Sequence, residues 1–207
     1  MMAENPKFCV NVADGSEFRK VMKAAVAVTK SKSNGTNGLY MNHIHVLADG
    51  EKITVTATDG HVLYRGSIAA GGDSADFLVH AAEAKRVADV LAANRSSGVS
   101  LEADGAGNMA ARVFTSQPVV MWKNQEDGYF PSDGVNRVIE GALADKPECT
   151  EDIVMSMSVL ETYLGVVKAL GIDKPKLEFF GMNSPMRTQV EYGSTKHLVL
   201  VMRVKDK

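Results

Sequence analysis

The chain has 207 residues, with 23 Lys and Arg against 25 Asp and Glu, a net charge of -2, and 45% hydrophobic residues. A chain this long buries roughly 70% of its unfolded surface without disulfide or metal staples, and its near-average composition excludes disorder, collagen and coiled coil. No stretch approaches the ~20 apolar residues of a membrane helix, and the start, MMAENPKFCV, lacks the pattern of a secretory signal. Cys9 and Cys149 are far apart and lack metal-ligand spacing, which fits a reducing, cytoplasmic compartment.

One pattern recurs three times along the chain: a short strand, a helix, then three strands. The first unit predicts a strand over 7–12 and a helix over 17–29, capped by Asp14 or Ser16. The Ser-, Asn- and Gly-rich run 31–38 ends that helix. Strands follow at 39–47, 52–58 and 62–68, joined by the turns Ala48-Asp49-Gly50 and Asp59-Gly60. The second unit reads as a strand at 77–79, a helix at 82–93 and strands at 99–103, 109–115 and 119–122. The stretch 124–150, with Gly128, Pro131, Gly134 and Pro147, reads as a connector holding one helical turn near 137–143. The third unit predicts a strand at 153–157, a helix at 159–170 and strands at 176–180, 187–192 and 197–204.

This order implies an α+β architecture of antiparallel sheets with the helices on one face. The expected organisation is a complete domain of two units over 1–123, the connector 124–150, and a third, partial unit over 151–207. No unit alone covers its sheet, so the units should pack together, and the third is left over.

Charge is unevenly placed. Between Glu17 and Asp49 there is no acid, but Arg19, Lys20, Lys23, Lys30 and Lys32 fall there. On a helical wheel Arg19, Lys23 and Lys30 share one side, and Phe18, Met22, Ala25 and Thr29 the other. A basic stripe without interspersed acids suits a phosphate backbone, and an ordinary solvated face is the alternative. The second helix adds Lys85 and Arg86, and the third adds Lys168 together with Glu161.

Little points to catalysis. His43 and His45 share a strand face, and His61 and Asp59 follow, but zinc wants a closed tetrahedron of N and S ligands and no cysteine is near. The sequence has no P-loop, no strand–GxGxxG–helix unit and no HExxH. No enzyme activity, metal or cofactor is expected.

The run VTATDGHVL, Val55 to Leu63, resembles the ATDGHRL run in the middle domain of the bacterial sliding clamps, the beta subunits of DNA polymerase III. Leu39-Tyr40-Met41-Asn42 matches the family's YLNG-like strand, Phe114-Thr115-Ser116 its FTS segment, and Gly128-Tyr129-Phe130-Pro131 its G-R-F-P. The closing VMRV resembles the family's MPMRL. The resemblance is continuous through the first two units; in the third it rests mainly on the last strand. It implies a DNA-clamp-like fold of paired half-domains, with helices facing DNA and sheets outside. The DNA-facing residues would be Arg19, Lys20, Lys23, Lys30, Lys32, Lys85 and Arg86, contacting double-stranded backbone without sequence preference.

The resemblance further implies a pocket for short linear motifs of DNA polymerases and other partners, and hence a role in processivity. Carried over, the pocket uses Met41, Thr58, Gly60, His61, Leu63, Pro131, Arg137, Val138, Leu200, Met202, Arg203 and Val204. Arg137 and Val138 align only after a two-residue insertion. Val62 stands where the family has Arg, Val201 where it has Pro, and the tail runs on over 205–207. The family's first domain and the first half of its last have no counterpart, which implies a reduced clamp of phage or bacterial origin that forms a homo-oligomer. A peptide-binding adaptor or decoy that never encircles DNA is the alternative.

Overall fold

The computed structural model describes residues 7–29, 39–93, 98–104, 106–114, 118–123, 130–144, 155–180, 185–192 and 194–202. The first unit contains β1 (Phe8–Val12), α1 (Gly15–Thr29), β2 (His43–Asp49), β3 (Lys52–Thr58) and β4 (Val62–Ala69). A two-residue β5 (Gly71–Gly72) follows. The second unit contains β6 (Ser74–His80), α2 (Ala81–Ala93), β7 (Val99–Ala103), β8 (Asn108–Val113) and β9 (Pro118–Lys123). Then come α3 (Ser132–Ala144), α4 (Met157–Leu170), β10 (Met186–Tyr192) and β11 (Thr195–Val201).

The strands form two antiparallel sheets, in the orders β5-β1-β7-β8-β9 and β10-β11-β4-β3-β2-β6. Each of the first two units lends its first strand to the other's sheet. β1 pairs with β7, with Phe8 opposite Ala103, and β6 pairs with β2, with His43 opposite His80. The third unit extends the second sheet, because β11 pairs with β4, Leu200 opposite Leu63.

Period-two alternation decides the faces. Ile44, Val46, Ile53, Val55, Ala57, Val62 and Tyr64 point into the main core, which α1, α2 and α4 cover. The helix α1 packs against α2 on one side and α4 on the other. That position explains its buried Phe18, Val21, Met22, Ala24, Ala25, Val26 and Val28, which leave little polar face. Asp14 caps α1 by accepting the Ser16 and Glu17 N–H groups, and those bonds, the one from Glu17 foremost, hold its carboxyl below its ordinary pKa. Ser156 caps α4, and Gly171, at φ 72°, ends it in the left-handed conformation.

Several expectations are corrected. The segment 39–42 is a 3-10 turn, and its strand begins only at His43. Within 153–157, Met155 and Ser156 are not in a strand and Met157 opens α4; 153–154 lie outside the described residues. The expected strand 176–180 makes only an isolated bridge, Glu178 with Arg187. The expected single turn near 137–143 is the thirteen-residue α3.

A helix of that length is marginal alone, and tertiary packing supplies its stability. Val135, Ile139 and Ala142 bury against Leu63, Leu78, Leu198 and Leu200 on the outer face of the second sheet, beside Phe130. Arg65 donates to Asn136 at 2.6 Å, and Arg187 donates to the Ala142 carbonyl at 2.8 Å, satisfying an orphan C=O of the last turn. No helix among the described residues is long and apolar enough to cross a membrane.

Candidate nucleic-acid interface and peptide pocket

The helices α2, α1 and α4 lie side by side, and their free faces border a groove of about 1130 Å³. Arg19, Lys20 and Lys23 from α1, Lys85 from α2 and Lys168 from α4 line it. The fold therefore gathers four of the expected DNA-facing residues and adds Lys168. Arg86 is on the same helix as Lys85 but does not line the groove, and its guanidinium pairs with Glu83 at 2.6 Å. Lys30 and Lys32 lie outside the described residues.

The basic stripe is less pure than the sequence of α1 implies. Asp89 and Glu161 arrive from the flanking helices, and Asp59 from the β3–β4 turn. Asp89 accepts from Lys85 at 2.8 Å. That bond, with the charges of Lys85, Lys23 and Arg19, holds its carboxyl below the ordinary range. Lys20 is likewise bound to Glu17. The spacing of Lys85 and Asp89, four apart on one helix, was the signal for this pair.

Beneath α1 sits a buried polar pair. The Tyr64 hydroxyl meets His197 Nδ1 at 3.1 Å, joining β4 to β11. Burial raises the Tyr64 pKa, with Glu17 adding to it, and burial lowers that of His197.

Of the expected pocket residues, Met41, Thr58, Gly60, His61, Leu63, Leu200 and Met202 lie near one another at one corner of the second sheet. Thr58 is opposite Leu63, Leu63 opposite Leu200, and the Met202 N–H donates to the His61 carbonyl at 2.6 Å, while His61 itself lines the helix groove beside Asp59. A Cβ on Gly60 would stand 3.5 Å from the Met41 methyl. Thr58 ties the turn through its hydroxyl, which donates to the Val62 carbonyl and accepts from Gly60 N–H. Gly60, at φ 87°, occupies a backbone region that other residues avoid.

Two of the pocket's apolar residues are covered. Leu63 is 4% and Leu200 0% exposed, because they lie in one cluster with Phe130, Val135 and Ile139, and Val138 packs against it. Met41, Pro131 and Met202 stay half-buried, and Gly60, His61 and Arg137 are exposed. Arg203 and Val204 lie outside the described residues. Val135 and Ile139 were not among the expected pocket residues, and Phe130 stood only in the Gly128–Pro131 match, although the apolar spacing 135, 138, 139, 142 announces an amphipathic helix.

The histidines do not assemble into a metal site. His45 Nε2 is 2.7 Å from Asp76, and its ring stacks on Phe130. Asp59 Oδ1 accepts from the His61 and Val62 N–H groups, closing the turn. Among the described residues there is no cluster of three or more His, Cys, Asp or Glu suited to a metal ion.

Two interlocked strand–helix–three-strand units, with helices in a row on one face and sheets behind, define the DNA-clamp fold, and comparison with solved structures bears this out. The DNA polymerase sliding clamp of Pseudomonas aeruginosa superposes with a TM-score of 0.69 at 15% identity, over 98% of this chain and 68% of that one. The DNA polymerase III beta subunit of Thermotoga maritima gives 0.70 at 13%, over 100% and 68%. A putative beta subunit from Eubacterium rectale gives 0.68 at 12%, over 99% and 67%. The chain thus spans about two thirds of the length of these clamps. No family model matches the sequence, and no curated protein does.

Proposed function

We propose that this chain is a non-enzymatic, sliding-clamp-like accessory protein of DNA replication or repair, acting in the cytoplasm. The observation that carries the reading is the row α2–α1–α4, with cations from three helices on one groove, in a chain whose whole described length has the clamp fold. Arg19, Lys23, Lys85 and Lys168 would meet the phosphates of double-stranded DNA, without base contacts and with strong salt dependence. Residues 1–123 would act as one complete clamp-like domain, 124–150 as its connector, and 151–207 as a partial domain that needs a second copy.

The corner around Met41, Gly60, His61 and Met202 would take a linear motif from a polymerase or similar partner. Half-buried apolar side chains there would grip an anchor, and exposed backbone and His61 would orient it. Retention on circular DNA tests the main reading. A closed clamp stays on a circle and slides off after linearisation, so equal retention on both forms refutes encirclement.

A second reading has its own support. Asp59, Asp89 and Glu161 in the groove dilute its positive field, as suits an adaptor or decoy that binds clamp-binding motifs and never encircles DNA. Peptide binding without retention on any DNA form selects it.

A further inference from the structure

The outer face of the second sheet is apolar where water would be expected. One row of residues crosses that face in register: Leu198 of β11, Arg65 of β4, Thr56 of β3, His45 of β2 and Leu78 of β6. Leu200 and Leu63 pair in the next outward row. An antiparallel sheet normally turns polar residues to the outside. Here Leu63, Leu78, Leu198 and Leu200 are at most 8% exposed because α3 lies over them. No strand pairing passes through α3, so the sheet is complete without it.

For a permanent cover α3 is weakly built. Gly134 and Gly141 stand on its exposed side, and a Cβ at either would meet nothing within 4 Å. Packing therefore does not require glycine there, yet of all residues only proline disfavours a helix interior more. Along its backbone α1 runs close to α2, α4, β3 and β4, whereas no described element runs close along α3. Its hold on the sheet is Val135, Ile139 and Ala142, with Val138 beside them, and the bonds from Arg65 and Arg187. The Arg65 bond leaves charge unmatched. Arg65 donates to two neutral oxygens, Thr56 Oγ1 at 3.2 Å and Asn136 Oδ1 at 2.6 Å, while burial works against its charge and Glu140 acts on it from the next turn. A carboxylate in the place of Asn136 would make a charge-assisted bond, roughly twice as strong.

We propose that α3 is an exchangeable internal occupant of this leucine bed, which receives in its stead an amphipathic helix of a partner protein. That helix carries aliphatic side chains spaced as Val135, Ile139 and Ala142 and a carboxylate in the place of Asn136. The chain at rest keeps the bed closed, so its apparent affinity for the partner is lowered by the fraction of molecules in which α3 is off. This rests on the peptide-binding side of the proposed function and deepens it, from the open corner to the covered bed.

Hydrogen exchange of the full chain reads the opening directly. Amides of α3 should exchange at least about 100-fold faster than those in the core of α1, and Gly134→Ala with Gly141→Ala should slow them about ten-fold. The binding probe is a labelled synthetic peptide of Ser132–Ala144 with Asn136→Asp and both glycines replaced by alanine, followed by fluorescence anisotropy. Its affinity should rise at least about ten-fold for an Ile139→Asp chain, whose fold circular dichroism checks, and fall about ten-fold for the chain with both glycines replaced. The same peptide with Asn136 kept should bind the Ile139→Asp chain about ten-fold more weakly, and Arg65→Gln in that chain should erase the difference. Amides of α3 that exchange only together with those of α1, or a glycine-replaced chain that exchanges and binds as the wild type does, overturn the exchangeable cover. A folded Ile139→Asp chain that binds the peptide no better than the wild type overturns the docking surface, and equal binding of the two peptides overturns the carboxylate. Retention on circular DNA is scored separately: its loss with α3 still exchanging refutes the clamp function and leaves the cover standing, and its presence with α3 fixed does the reverse.

Discussion

Asp89→Ala should tighten DNA binding, although the substitution adds no cation. Asp89 holds the Lys85 ammonium at 2.8 Å on the rim of the helix groove and sits in the field of Lys23 and Arg19. Those cations keep it ionised, so at neutral pH it cancels one positive charge where a phosphate would lie. Its removal frees Lys85 for one more phosphate contact. Each contact steepens the slope of log K against log salt by about 0.9, so at ~0.15 M salt the gain is about five-fold, near 1 kcal/mol. Fluorescence anisotropy on a random-sequence duplex, repeated over a salt series, reads both quantities. Lys23→Glu should move affinity and slope the opposite way. If Asp89→Ala leaves both where they were, Lys85 does not face the backbone and the groove is not the DNA site.

Other consequences concern the scaffold. Phe130, 9% exposed and stacked on His45 at 4.9 Å between ring centroids, pins the start of α3; Phe130→Ala should cost about 3 kcal/mol in urea unfolding, and an unchanged midpoint would mean that α3 is held elsewhere. At Gly66 an added Cβ would fall on the Tyr64 hydroxyl, so Gly66→Ala should destabilise by about 1–3 kcal/mol. The double change with Tyr64→Phe should recover part of that loss, and a double mutant no better than the single one would place the clash elsewhere. His197 has its pKa lowered from 6.5, chiefly by burial. Its contribution is therefore complete above the unfolded value and lost as pH falls below about 6.5, where the unfolded chain binds the extra proton. His197→Gln should flatten stability against pH below about 6.5, and an equally steep profile in the variant would assign the proton uptake to another group.

The helices α1, α2 and α4 and most strands were legible because their hydrophobic periods are local. Asp14 and its N–H partners announce α1, and the Asp59-Gly60 turn announces the β3–β4 hairpin whose register puts Thr58 opposite Leu63. What failed depended on distant partners. A first strand for the third unit was expected by analogy, but β1 and β6 form because another unit's sheet receives them, and Met155 and Ser156 have no such sheet. The connector was read from its prolines and glycines as largely irregular. Its run from Val135 to Ala142 becomes a helix because the outer face around Leu198 and Leu200 is apolar and open to it.

The charge of -2 concealed a basic stripe on α1, and that much the sequence alone determined, since side-chain spacing along one helix is a local property. It also determined the repeat of the first two units, each a strand, a helix and three strands, and with it the class of fold. Only the tertiary structure decided how much of that stripe remains positive, because Asp89 and Glu161 come from other helices and their distance from Arg19 and Lys23 depends on how α2 and α4 pack. The same holds for Leu63 and Leu200. Their alternation marks them as one face of a sheet, but whether that face meets water, a partner peptide or the chain's own α3 depends on contacts between residues far apart in sequence, through burial that no local pattern encodes.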